Sequence, residues 1–99
     1  MGKSIMAIYE VTYSTEAASN EELSYSEVVL VEAETHEELT AKVVDLIRKL
    51  GPRNNYVDSI GGNPYEPRPR KRIARKITKD LDNLVSIINA LILSRNQGP

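Results

Sequence analysis

From Ile73 to Ile92 the chain repeats its apolar residues in helical phase. Ile73, Ile77, Leu81, Leu84, Val85, Ile87, Ile88, Leu91 and Ile92 fall within about 160° of arc at 100° per residue. The spacing predicts a helix over 71–93. Thr78 offers a later start, capping a helix from Lys79, but the phase is unbroken from Ile73 and favours one element. Some 22 helical residues span roughly 33 Å, whereas a sheet of two or three strands is only about 10–15 Å wide. One more helix and so small a sheet leave part of that face uncovered. A second copy of the helix would cover it, and two-fold dimers are the commonest closed assemblies. A homo-oligomer through residues 73–92 is therefore expected.

The remainder supplies the small sheet. At 99 residues one domain is expected. Over 5–13, Ile5, Ala7, Tyr9, Val11 and Tyr13 alternate with Met6, Ile8, Glu10 and Thr12, the period of a strand. Ser14 to Ser24 is small, polar and acidic and reads as a loop. A second strand follows over 25–34, and its centre Val28-Val29-Leu30-Val31 is apolar on both faces, which predicts burial from two sides. The two strands are expected to pair antiparallel as a hairpin.

Thr35-His36-Glu37-Glu38 has the form of a capping box. It opens a helix over 36–50 whose apolar stripe is Leu39, Val43, Leu46, Ile47 and Leu50, closed by Gly51-Pro52. Asn55 to Ile60 forms a candidate third strand, and 61–70 is a Gly/Pro/Arg-rich arm kept extended by Pro64, Pro67 and Pro69. The predicted fold class is α+β: a β-hairpin, a capped amphipathic helix, a short third strand and a long C-terminal amphipathic helix, with the helices on one face of a small sheet.

The formal net charge of −1 conceals an opposition between the two halves. Residues 1–50 hold four basic and ten acidic side chains, a balance of −6; residues 51–99 hold nine and four, a balance of +5. The basic half is concentrated in Arg68, Arg70, Lys71, Arg72, Arg75, Lys76 and Lys79, with no acid between the first and the last. On the helical wheel Arg72, Arg75, Lys76 and Lys79 form a stripe about 200–300° from Ile73. A cationic strip entered by a stiff basic arm matches a phosphate backbone. Arginine forks suit phosphate oxygens in particular. Tyr65 and Tyr56 are candidates for stacking on bases. An acidic protein surface is the competing partner, including the acidic half of a neighbouring copy.

A second candidate is a phosphate-holding backbone nest at Gly61, Gly62 and Asn63. A turn after a strand accounts for the same residues. The glutamates between Glu10 and Glu38, unrelieved by any Lys or Arg, form a field able to meet a basic protein or to solubilise the chain.

Several classes are disfavoured. Without cysteine there is neither a disulfide framework nor a thiolate metal site, as suits a reducing cytoplasm. His36 is the sole histidine, so a metal site or an acid–base pair finds few partners. Asp80 and Asp82 point about 200° apart on their helix and make no carboxylate pair. No apolar run is long enough to span a membrane. The sequence predicts a cytoplasmic, non-enzymatic binding protein with no cofactor, no metal and no membrane attachment, engaging DNA or RNA phosphates through 68–79. The alternatives are a protein-interaction or inhibitor module, of the small accessory kind found in mobile elements, and a nucleotide-binding or sequestering protein using 59–72.

Overall fold

A computed structural model describes residues 6–17, 20–50 and 54–96. The chain runs β1 (Ala7–Ala17), β2 (Asn20–Ala33), α1 (His36–Arg48), β3 (Asn54–Gly61) and α2 (Lys71–Asn96). The sheet is antiparallel with order β2-β1-β3, so the first strand is central and the other two are edges. The α+β class and the third strand are as expected. Ile5 and the Gly51-Pro52 stop lie outside the described residues.

The polar stretch 14–24 differs from its expected form. β1 continues to Ala17 and β2 begins at Asn20, so strand takes the place of a long loop. Hydroxyl pairing explains how polar residues extend the ladder. Ser14 and Ser26 face each other with oxygens 2.9 Å apart, and Ser14 Oγ donates to the Asp58 carboxylate. With the Ser14 proton committed to Asp58, Ser26 donates to Ser14, and one chain of hydrogen bonds links all three strands.

Asp58 is also the extra residue of a bulge in β3. Thr12 pairs with Ser59 and Tyr13 with Val57, which leaves Asp58 unopposed on β1. The bulge shifts the strand's phase, so Val57 and Ile60, three residues apart, both enter the core.

That core lies between one sheet face and the two helices. Val11, Tyr13, Ala33, Val57 and Ile60 meet Leu39, Val43, Val44 and Ile47 of α1, and Leu81, Leu84, Ile88 and Ile92 of α2. In α1 Val44 is fully part of this face, while Leu46, and Leu50 just beyond the helix end at Arg48, are only partly buried. The cap is formed by Thr35 Oγ1 accepting from Glu38 N–H at 3.1 Å. Glu38 reaches one residue further back than a capping box requires, to Glu34 N–H at 3.3 Å. Its carboxyl is held below its ordinary range, first by Lys42 at 2.9 Å and then by the Glu34 amide.

The expected two-sided burial of β2 holds for one side. Val29 and Val31 pack on the core, while Val28 and Leu30 lie on the opposite, uncovered sheet face and are exposed.

Candidate nucleic-acid interface

The basic segment begins where β3 ends. Asn63 Oδ1 accepts from Tyr65 N–H at 2.8 Å, and Asn63 C=O accepts from Glu66 N–H at 3.3 Å, forming a turn. Pro67 and Pro69 then hold an extended path, and Arg70 C=O accepts the first bond of α2, from Ala74 N–H at 2.9 Å. Arg68 and Arg70 thus flank Pro69 just ahead of the helix. Tyr65, 74% exposed, stands three residues before Arg68.

The core uses α2 only from Leu81 onward. The ten residues before it, about 15 Å of helix, carry Lys71, Arg72, Arg75, Lys76 and Lys79, every one exposed. On the wheel Arg72 and Lys79 lie opposite the core-facing line. Among the described residues none of the seven cations of 68–79 enters an ion pair. The ion pairs formed there are Lys42–Glu38 and Lys49–Asp45, both on α1. The first turn of α2 contains no acid, so the positive end of the helix dipole adds to the side-chain charge.

A shallow, open depression of about 430 Å³ runs along this overhang, lined by Lys71, Ala74, Arg75, Thr78, Lys79 and Asp82. Thr78 and Asp82 were not among the residues the charge pattern singles out. Their signal is spacing: 71, 75 and 79, and 74, 78 and 82, are two adjacent ridges at i, i+4.

Other candidate residues fall elsewhere. Tyr56 is on the uncovered face of β3, beside Ser14 in register, away from the side on which α2 packs. Gly61 is within β3, opposite Glu10, and Gly62 follows it. Neither glycine adopts the left-handed backbone conformation that favours glycine, and Asn63 spends its side-chain oxygen on its own turn. His36 is exposed and meets the Tyr9 ring edge-on, centroids 6.2 Å apart. Among the described residues no group of three or more His, Cys, Asp or Glu is placed to hold a metal ion. Among the described residues no helix is long and apolar enough to cross a membrane.

The exposed acids Glu27 and Glu32 belong to β2, Glu34 to the bend after it and Glu37 to the start of α1. They form no ion pair with the basic overhang. Comparison with protein-family models, with curated proteins and with solved structures finds no match.

Proposed function

We propose that this chain is a small non-enzymatic binding protein that engages nucleic-acid phosphates through Arg68, Arg70, Lys71, Arg72, Arg75, Lys76 and Lys79, with Tyr65 beside them, and that it works as a homo-oligomer through residues 73–92. One observation carries the reading: seven cations without ion-pair partners among the described residues occupy an arm and a helical overhang that the core does not use. Unpaired cations on one segment raise the local potential, and polyanions relieve it by releasing their own counterions.

Anisotropy titrations of labelled random-sequence duplex and single strand, over a range of salt, test it. Affinity should fall linearly on logarithmic axes, with a slope of about −6 if all seven cations meet duplex phosphates. Replacing Arg68, Arg70, Arg72 and Arg75 by Gln should flatten that slope by about 3 to 4. Absence of binding to either strand form at low salt overturns the reading. Nuclease-resistant capture of one stoichiometric acidic protein would put a protein partner in its place.

A further inference from the structure

α2 carries a second apolar line that a single copy of the chain leaves open. Ile73, Ile77, Ile87 and Leu91 are 52, 40, 52 and 42% exposed. With Asp80 and Leu84 between them they succeed one another at intervals of four, three, four, three and four residues. This is the 3.5-residue repeat of a coiled-coil seam, sustained over five intervals. It adjoins the line of Leu81, Ile88 and Ile92 that the core occupies. Leu84, itself buried in that core, is shared between the two lines, so the open apolar residues are Ile73, Ile77, Ile87 and Leu91.

The seam is also palindromic. Positions 73 and 91, 77 and 87, and 80 and 84 are each equidistant from Asp82. An antiparallel copy of α2 crossing there sets Ile73 against the partner's Leu91 and Ile77 against the partner's Ile87. Every exposed apolar residue of the seam then meets an apolar residue. A parallel copy in register sets Asp80 against its own equivalent and gathers both sets of basic residues at one end. Charge separates the two arrangements. In the antiparallel one the cations lie at opposite ends, each beside the last turn of the other helix, where the dipole favours positive charge. Lys76 then neighbours the partner's Ala90, an uncharged residue.

We propose that the occupant of this face is a second copy of the chain, docked with its α2 antiparallel and centred on Asp82. This rests on the oligomer reading above and adds its polarity and register.

The chain has no cysteine, so single-cysteine variants report cleanly. Ile73→Cys and Leu91→Cys proteins, both altered at exposed positions, are mixed in equal amounts and oxidised. The expected product is the mixed 73–91 disulfide dimer. Like-with-like dimers in excess of the mixed one overturn the antiparallel arrangement. A dimer by sedimentation in which these cysteines do not cross-link overturns the docking face, while leaving an oligomer by another route. A wild-type monomer at tens of micromolar overturns both this proposal and the oligomer reading. Ile87→Glu, outside the core, should keep its helical circular dichroism while raising the dimer dissociation constant about 30-fold or more. An unchanged constant counts against the seam.

Discussion

Asn89 of α2 holds Val57 of β3 by both of its backbone groups. Val57 N–H donates to Asn89 Oδ1 at 2.8 Å, and Asn89 Nδ2 donates to Val57 C=O at 2.9 Å. β3 is an edge strand, so the carboxamide supplies the donor and acceptor that a further strand would. The other edge is met in a related way, by Lys42 Nζ donating to Glu32 C=O at 2.6 Å. Each helix thus ties down a backbone group of the edge strand it packs on. The Asn89 clamp also fixes how far α2 slides along β3, and so how much of its basic end overhangs.

Asn89→Ala leaves two backbone groups of an edge strand without their partner. The expected cost is about 1–3 kcal/mol, read as a lower urea midpoint with unchanged m. Asn89→Asp should recover little, because a carboxylate accepts from Val57 N–H but opposes the Val57 carbonyl. Full stability in both variants would show that the clamp is incidental.

Much of this architecture is legible in local sequence. Thr35 with Glu38 marks the start of α1, and the apolar phase from Ile73 marks α2 to within a few residues. The cations of 68–79 are legible for the same reason, being contiguous. What escapes is set by partners distant in sequence. Ser14 to Ala17 have no apolar alternation, and become strand because β2 and β3 lie on either side. Asn89 resembles any polar residue at the margin of an apolar stripe until Val57 is brought against it. The same holds for the split within α2. Ile87 and Ile88 are chemically identical neighbours, yet one is 52% exposed and the other 0%, because only the direction of the sheet distinguishes them.

The two sheet faces should respond differently to similar changes. Leu39→Ala, at a site with no exposure, removes buried methyl groups and leaves a cavity, for about 2–5 kcal/mol. Val28→Thr on the uncovered face keeps the branched shape at a site 59% exposed, and should stay within about 0.5 kcal/mol. Chemical unfolding of both variants checks the pair. A large loss at Val28 would mean that the outer face is covered in solution.

Tyr13 should contribute less to the fold at high pH. Its hydroxyl donates to the Glu27 carboxylate at 2.7 Å. That hydrogen bond first, then burial and the negative charge of Glu27, push the phenol above its ordinary value. The folded state therefore favours the neutral phenol. Its contribution is complete below the unfolded value of about 10 and is lost as pH rises through the higher folded value. Ring-carbon chemical shifts, assigned with Tyr13→Phe, should place Tyr13 above ordinary tyrosine. Glu27→Gln should bring it back toward that value. Titration of Tyr13 at the ordinary value in the wild type would contradict the geometry.

At the start of α2, stability and binding should move in opposite directions. Arg72 is exposed, has no ion-pair partner among the described residues, and sits in a first turn that lacks any acid. A cation there opposes the helix dipole and crowds Lys71, Arg75 and Lys76. Arg72→Glu replaces that repulsion with attraction and should stabilise the helix end by about 0.3–1 kcal/mol, seen as a higher melting temperature. The same change sets a negative charge against the phosphate backbone, so nucleic-acid affinity should fall and its salt slope should flatten by about 0.9 or more for duplex. Arg72→Gln should lie between the two on both measurements. Loss of stability together with loss of binding would indicate that Arg72 holds the fold, whereas opposed changes are what a residue placed for an anionic partner produces.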